Sequence, residues 1–434
     1  MTVPRRLDPI FRAGLAAVGF AGAAGAALAE TVKVDHVEIK TVFVIAMENH
    51  NWTAPAGTSP AQLSGHPQAS YLNSLCTPGN PNAAQVSFAG AYHNAGVGVH
   101  PSEPSYIWME AGSNLGVFSD NPPYGIGGTN QVTTNHLATR LTAAGVPWKS
   151  YQEDIDTDSA GNVLPLANWT SPINNRAGTY TTVANIYNGS RKYDYAAKHN
   201  PMIFFSDTNG GNDASTANPA RYNYAPLQQF FTDLANNTVP RYCWISPNQF
   251  NDMHTGISGF QGFTGDTAAI RQGDNFLSIV VPQIMASVAY QDHGAIFIWF
   301  DETEGGDSAA YTIPFVVISP DAKGNAYTNA ISYTHSSSVR TLQNIFRVAT
   351  TYLNDAANAT DLSDLFNPSV TNVRTPCPAD FNADRVVNVL DLGTVLSSFG
   401  ASVPAYTSGD TNGDGVVDTL DLGAVLAAFG SNCP

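Results

Sequence analysis

Acidic and amide side chains follow several apolar runs of the sequence at the point where each run ends. They are Glu48, Asn49 and His50 after 41–47, Asp207 after 202–205, Asp252 and His254 after 241–245, and Asp301 and Glu302 after 295–300. Carboxylates that converge on one place repel each other unless a cation neutralises them, so a bound divalent metal is the simplest explanation. The alternative is that each acid only caps the N-terminus of a following helix.

A second set of oxygen donors recurs in the last 60 residues as an internal repeat. Within each copy the donors occupy positions 1, 3, 5, 9 and 12 of a 12-residue loop, which is the spacing that Ca²⁺ requires. The first loop has Asp380, Asn382, Asp384, Asn388 and Asp391, and the second has Asp410, Asn412, Asp414, Asp418 and Asp421. Position 6 is Arg385 in the first loop and Gly415 in the second. We predict two bound Ca²⁺ ions; a solvated acidic tail is the alternative.

Composition and charge limit what else this chain can do. The 434 residues carry 35 acidic and 19 basic side chains, a formal charge of −16 that disfavours binding to nucleic-acid phosphates. With 43% hydrophobic residues the chain is too apolar to be disordered. Residues 1–29 combine Arg5 and Arg6, an apolar run and Ala27-Leu28-Ala29, an order typical of a cleaved secretory signal, with a membrane anchor as the alternative. We expect a secreted or extracytoplasmic protein with no stable membrane insertion.

The four cysteines permit three disulfide pairings, and export makes disulfides feasible. Cys377 and Cys433 bracket the terminal repeat, so we predict that they pair with each other. Cys76 and Cys243 would then form a second disulfide inside the main domain.

The elements that must position these residues alternate between strand and helix. Apolar runs without polar alternation, typical of strands buried on both faces, occupy 41–47, 202–205, 241–245, 295–300 and 314–318. Helical periodicity covers 134–144, 225–235, 275–290 and 336–349. We therefore predict an α/β fold with a doubly wound, mostly parallel sheet and helices on both faces, spanning 35–366. A linker over 367–376 would precede a small all-α calcium-binding module over 377–434.

The run Val42-Phe43-Val44-Ile45-Ala46-Met47-Glu48-Asn49-His50 resembles the opening strand of the phosphoesterase family that contains acid phosphatases and phospholipases C. Further pieces follow in the family's order: His100-Pro101-Ser102-Glu103-Pro104-Ser105-Tyr106, Ser246-Pro247-Asn248, Asn251-Asp252-Met253-His254, Trp299-Phe300-Asp301-Glu302, Ile313-Pro314-Phe315, Ile318-Ser319-Pro320, Tyr333-Thr334-His335 and Arg340-Thr341. The resemblance covers nearly the whole main domain and implies a fold related to alkaline phosphatase. The His-Pro-Ser-x-Pro form is closer to the phosphatase branch, although Ser105 stands where that branch usually has Asn.

The resemblance also implies roles for individual residues. Ser102 would be the nucleophile, held exposed by a tight turn, and would complete a metal shell. The other ligands would be Glu48, Asn49, Asp301 and Glu302, an all-oxygen set suited to a hard cation such as Ca²⁺, Mg²⁺ or Mn²⁺. Asp252, His254 and His335 would contact the phosphate and protonate the leaving oxygen. A structural role remains the alternative for each histidine.

The terminal repeat resembles a type I dockerin module, which implies a cohesin-type protein partner. Together these resemblances predict a secreted, metal-dependent phosphoesterase acting on a phosphate-ester substrate, most similar to acid phosphatases and tethered by its C-terminal module. Two alternatives stay open. One is a phospholipase C or phosphodiesterase, and the other is a non-catalytic, calcium-stabilised surface or scaffold protein on a degenerate phosphatase fold.

Overall fold

The computed structural model of the chain describes residues 37–53, 62–169, 172–213, 215, 217–349, 351–374, 377–382, 386–403, 407–412 and 414–432. The predicted signal segment, Asp384 and Arg385 of the first loop, and Cys433 lie outside the described residues. In the described part, none of the helices combines the length and apolarity needed to span a bilayer.

Two sheets organise the described strands. The strands are β1 Thr41–Met47, β2 Val86–His93, β3 Trp148–Gln152, β4 Arg176–Thr179, β5 Lys192–Tyr195, β6 Tyr224–Pro226, β7 Tyr242–Ser246, β8 Gly294–Phe300, β9 Phe315–Ile318 and β10 Tyr327–Thr334. The main sheet has the order β10-β2-β9-β8-β1-β7-β3-β6, and β4 pairs with β5 in a separate hairpin. All pairs of the main sheet are parallel except those that β9 makes with β2 and β8. The predicted mostly parallel α/β sheet is confirmed.

Helices flank the main sheet and cover its apolar side chains. They are α1 Ser70–Leu75, α2 Ser102–Ala111, α3 Leu137–Ala143, α4 Ser206–Asn209, α5 Leu227–Ala235, α6 Gly265–Met285, α7 Val288–Gln291 and α8 His335–Ile345, followed near the C-terminus by α9 Val389–Ser398 and α10 Thr419–Ala428. Every residue of β1, β7 and β8 is buried. Burial on both faces explains why these strands read as continuous apolar runs in the sequence.

One of the five predicted strands is wrong. Residues Pro201–Phe204 form a 3-10 helix, although all four side chains are buried. The segment packs against α2 and α4. Its apolar run therefore reflects burial between helices, which periodicity cannot distinguish from a buried strand. Asp207 accordingly does not join the other strand-end acids; its Oδ1 lies 3.0 Å from His136 Nε2.

The predicted disulfide between Cys76 and Cys243 is also wrong, because both are free thiols. Cys243 is the second residue of β7, which lies between β1 and β3, and its Sγ donates a hydrogen bond to the Pro240 carbonyl. Cys76 ends α1, which packs against α6. The Cys377–Cys433 pair stays a prediction.

The C-terminal segment has a small hydrophobic cluster of its own, centred on Val387, Val395, Val417 and Val425. Its two helices begin in the same way. Asn388 caps α9 and Asp418 caps α10, and each forms a capping box with the aspartate three residues later. The sequence repeat is therefore also a structural repeat.

Asp274 of α6 supplies the cap that α1 lacks. Its carboxylate accepts hydrogen bonds from the backbone N–H groups of Tyr71 and Leu72 at 2.9 Å each and from Ser70 Oγ at 3.2 Å. Ala69, at the N-cap position of α1, provides no side-chain acceptor. The contact therefore joins two helices that are about 200 residues apart in the sequence.

We predict that Asp274→Ala lowers the free energy of unfolding by about 3 kcal/mol, because it leaves buried N–H groups without an acceptor. Urea denaturation monitored by circular dichroism measures this loss. The matched control is Asp292→Ala, which removes only an exposed ion pair with Lys40 and should cost less than about 1 kcal/mol. Equal losses in the two variants would contradict the capping role.

Candidate active site at the carboxyl edge of the sheet

The neighbouring strands β1 and β8 bring four predicted metal ligands to one edge of the sheet. Met47 pairs with Phe300 at the ends of these strands, so Glu48-Asn49 and Asp301-Glu302 emerge side by side. The Asn49 backbone N–H donates to Asp301 Oδ1 at 2.9 Å. Asn49 adopts a φ of 50°, a left-handed conformation that asparagine tolerates better than most residues.

Ser102 lies opposite these carboxylates as the first residue of α2. Its hydroxyl donates to Glu48 Oε2 at 2.9 Å, and its oxygen lies 3.4 Å from Glu302 Oε1. The expectation of an exposed serine in a tight turn is corrected, because Ser102 is 1% exposed and lies at a helix N-terminus. The N-terminal N–H groups and dipole of a helix favour bound anions, including phosphate.

Tyr106, one helical turn after Ser102, fixes the other oxygen of Glu48. Its hydroxyl donates to Glu48 Oε1 at 2.6 Å. The Tyr106 ring stacks on His199 and meets Trp299 edge-on, in both cases with centroids 5.1 Å apart. Both carboxylate oxygens of Glu48 are therefore held in defined positions.

Asp252 and His254 approach from the loop after β7, with His199 between them and Glu48. Imidazole Nε2 of His199 lies 3.2 Å from Glu48 Oε1, and its Nδ1 lies 3.3 Å from Asp252 Oδ2. Asp252 accepts from the backbone N–H of His254 at 2.8 Å, and its carbonyl accepts from that of Glu48 at 2.8 Å. Burial, reinforced by nearby Lys198, holds the pKa of His199 well below its usual range and lowers that of His254 to about 4.

His335 supports the site from beneath, as the first residue of α8. Its Nε2 hydrogen-bonds to the backbone carbonyl of Asp301, and its Nδ1 lies 3.1 Å from Trp299 Nε1 and 3.2 Å from the Tyr92 hydroxyl. Both ring nitrogens thus contact protein groups. A role in protonating a leaving group would require one of these hydrogen bonds to break.

His100 is a cationic group at the mouth of the site. Its Nδ1 contacts Glu302 Oε2, and its Nε2 lies 2.8 Å from Asp307 Oδ1. The hydrogen bond to Glu302, and a second to Asp307, raise the pKa of His100 to about 9. A cavity of about 330 Å³ opens here, lined by Asn49, His100, Glu302 and Thr303–Gly306.

The buried carboxylates fit a bound cation. Asn49 Oδ1, Asp252 Oδ2 and Asp301 Oδ2 are buried without a hydrogen-bond donor. Burial, together with repulsion from neighbouring carboxylates, raises the pKa of Glu48 well above its usual range and that of Asp301 to about 7. A divalent ion would satisfy the orphaned oxygens and remove the repulsion. Glu48, Asn49, Asp301 and Glu302 are the residues that would hold it.

The sequence does not single out three residues that contact the predicted site: His199, Tyr106 and Asp307. His199 lies in the 3-10 helix Ala197–His199, and nothing in its sequence context distinguishes it from a structural histidine. Tyr106 ends the segment that begins with His100-Pro101-Ser102, and its spacing of one helical turn from Ser102 indicates that both side chains lie on the same face of α2. Ser105, which departs from the family pattern, has a buried Oγ without a hydrogen-bond partner.

Comparison with known proteins supports the family resemblance that the sequence motifs indicate. The chain matches the family described as "Phosphoesterase family" over residues 82–349, which includes Ser102, Asp252 and Asp301 but not Glu48. It is 25% identical over 305 residues to the phosphatidylinositol-3-phosphatase of Mycobacterium tuberculosis, covering 70% of this chain and 79% of that protein.

Two fungal relatives match over shorter stretches. The acid phosphatase of Aspergillus fumigatus is 28% identical over 158 residues, or 36% of this chain and 28% of that protein. A probable acid phosphatase of Kluyveromyces lactis is 24% identical over 208 residues, or 47% of this chain and 38% of that protein. The chain thus spans well under two thirds of the length of these two fungal proteins.

We predict that Glu48→Ala and Asp301→Ala each bind one equivalent of divalent metal fewer than the unchanged protein. Removing one carboxylate takes away a ligand and leaves too little negative charge to hold the ion. Metal analysis after dialysis measures the loss. Glu110→Gln is the control, because Glu110 is a buried carboxylate of α2 that contacts His136 instead. Unchanged metal content in both alanine variants would exclude the shared site.

Proposed function

Because the chain belongs to the phosphoesterase family, we propose that it hydrolyses phosphate monoesters with Ser102 as the nucleophile. The observation that carries the proposal is the hydrogen bond of 2.9 Å from Ser102 Oγ to Glu48 Oε2 at the N-terminus of α2. This hydrogen bond places a nucleophilic hydroxyl next to a carboxylate that can accept its proton. Both groups face the first turn of α2, where the helix N-terminus can bind a phosphate group.

In the proposed reaction, Ser102 Oγ attacks phosphorus while its proton passes to Glu48 Oε2. The P–O bond to the leaving group breaks as the bond to Oγ forms, and the leaving oxygen takes up a proton from solvent and departs as the alcohol. Water then attacks phosphorus, the bond to Oγ breaks, phosphate is released, and Oγ recovers its proton from Glu48. A divalent cation held by Glu48, Asn49, Asp301 and Glu302 would supply charge screening and a lowered pKa for the serine hydroxyl. His254 is the residue that we assign to contact the phosphate and its leaving oxygen, and His335 is a positioning residue for Asp301.

Monoester preference is proposed from the charge of the substrate and of the metal ion. His100, whose pKa is raised to about 9, is already paired with Glu302 and Asp307, and Lys198 is paired with Asp120 at 2.9 Å. The preference therefore depends on the proposed divalent cation, which would bind a monoester dianion more strongly than a diester with one negative charge fewer. The phospholipase C or phosphodiesterase alternative predicts the opposite preference, and the scaffold alternative predicts no turnover.

For the C-terminal segment we propose a calcium-binding, dockerin-like tether that joins the enzyme to a cohesin-type partner outside the cell. Supporting it, Gly415 adopts a φ of 83°, and its N–H donates to Asp410 Oδ2 at 2.9 Å. Asp421 accepts from the N–H groups of Thr411 and Asp418, which closes the loop around its last acidic position.

We predict that Ser102→Ala loses turnover of p-nitrophenyl phosphate by at least about a thousandfold while it still folds, because only the attacking oxygen is removed. Ser105→Ala is the matched control. Its Oγ has no carboxylate to take a proton, so this variant should retain most of the activity. More than about a tenth of the activity remaining in Ser102→Ala would show that the nucleophile is elsewhere.

A substrate panel separates the candidate functions. We expect p-nitrophenyl phosphate to be hydrolysed at least about tenfold faster, by kcat/KM, than bis-p-nitrophenyl phosphate or a phosphatidylcholine emulsion. Faster release from the bis-ester or from the lipid would favour a phosphodiesterase or a phospholipase C. Absence of turnover with every metal tested, in a folded protein, would favour the scaffold.

We predict two unequal Ca²⁺ sites in the C-terminal segment, with tighter binding at the second loop. A glycine at position 6 reaches a left-handed turn without strain, whereas a residue with a Cβ, such as the arginine of the first loop, is expected to reach it only at a cost. Calorimetric titration of the full chain should show Arg385→Gly tightening the weaker site and Gly415→Ala weakening the stronger one. Two equivalent sites in the unchanged protein would contradict the argument from position 6.

A further inference from the structure

A second cluster of metal-ligating side chains lies beside the candidate active site and is not used by it. Within the part of the chain that the structure describes, His50, Asp266 and Glu304 form a group of three potential metal ligands. Their potential ligand atoms all lie within 4.8 Å of one another. His50 follows β1, Glu304 follows β8, and Asp266 is in the first turn of α6.

The hydrogen bonds of His50 present one ring nitrogen to the cluster. Its Nδ1 lies 3.0 Å from the backbone carbonyl of Glu48, which can only accept, so Nδ1 carries a proton. Its Nε2 then faces Asp266 Oδ1 at 2.9 Å. In a neutral imidazole this contact opposes two acceptors, which only a proton or a metal ion between them resolves. Metal-ligating histidines are typically oriented in this way, by an N–H bond to a carbonyl.

Glu304 gives a second indication that a metal ion binds here. Its Oε2 is buried and has no hydrogen-bond partner. Its backbone is fixed by a reciprocal pair of hydrogen bonds with the Asn51 side chain, at 2.9 and 3.1 Å. The loops after β1 and β8 are therefore joined at this point, and an unsatisfied carboxylate oxygen is left near a carboxylate and an imidazole.

We propose that His50, Asp266 and Glu304 bind a transition-metal ion of the zinc type, separate from the all-oxygen site. One imidazole and two carboxylates leave a fourth position for water, as in three-ligand zinc sites. Ligand atoms around a tetrahedral zinc lie about 3.3 Å apart, which small side-chain rotations reach from the observed cluster. A hard cation, in contrast, selects the oxygen-only set around Asp301.

Such an ion would brace the active site without entering the chemistry. It would connect the loops after β1 and β8 to the N-terminus of α6, three elements that are more than 200 residues apart at their extremes. The His50 contact to the Glu48 carbonyl would then fix the residue that accepts the Ser102 proton. Glu304 also lines the cavity at the mouth of the site.

The test uses the full-length protein, freed of metal by chelation and then saturated with Ca²⁺ so that oxygen-only sites are filled. Equilibrium dialysis against Zn²⁺ should give one bound equivalent in the unchanged protein. His50→Gln and Glu304→Gln should each bind less than about a tenth of an equivalent. His93→Gln is the matched control, because His93 contacts the Tyr311 carbonyl outside the cluster and its loss should leave zinc binding unchanged.

Thermal stability and Co²⁺ absorption give two further readouts of metal binding. Zn²⁺ should raise the Tm of the unchanged protein and of His93→Gln but not of Glu304→Gln, which preserves the shape of the side chain. Bound Co²⁺ should show the strong visible absorption of a tetrahedral site with a nitrogen ligand, and this absorption should be absent in His50→Gln. Zinc uptake that is equal in all variants, or no uptake by the unchanged protein, would overturn the proposal. None of these readouts depends on phosphatase activity.

Discussion

The repulsion between carboxylates buried at one edge of the sheet is the constraint on which the site depends. Glu48, Asp252, Asp301 and Glu302 are each at most 7% exposed, and burial raises the pKa of the first three. Hydrogen bonds from Ser102, Tyr106 and Asn49 offset part of the cost of burying these carboxylates. Several of the carboxylate oxygens nevertheless have no hydrogen-bond donor. A site that concentrates negative charge in this way fits a bound cation, which would in turn attract an anionic substrate.

The surrounding side chains hold these carboxylates in fixed positions. Tyr106 and His199 contact Glu48, while His335 contacts the Asp301 backbone carbonyl and is itself contacted by Trp299 and Tyr92. Because β1 and β8 are buried along their whole length, the residues that follow them leave the sheet at defined places. Rigid strands and packed aromatic rings therefore set the position of Glu48, the proposed proton acceptor, relative to Ser102.

Much of this arrangement could be predicted from the sequence, and the exceptions have physical causes. Fully buried strands such as Thr41–Met47 are recognisable in the sequence as continuous apolar runs. The rule that sites lie beyond the carboxyl ends of parallel strands correctly predicts that Glu48 and Asp301 lie close together. Strand Tyr327–Thr334 was not predicted because it is half exposed and polar. Pro201–Phe204 was predicted as a strand because its burial makes it apolar, although it forms a 3-10 helix. His199 could not be found, since its partners are brought near only by the fold.

The measurement that tests the central claim most directly is chemical trapping of the intermediate. The protein is mixed with a phosphate monoester, quenched in acid within milliseconds, digested, and analysed by mass spectrometry for phosphoserine. The account predicts a phosphoryl group on Ser102 that appears only with substrate and metal present, and that is absent when Glu48 is replaced by alanine. Phosphate found on a histidine or on another serine, or rapid turnover with no phosphoenzyme at any quench time and inverted stereochemistry at phosphorus, would contradict it.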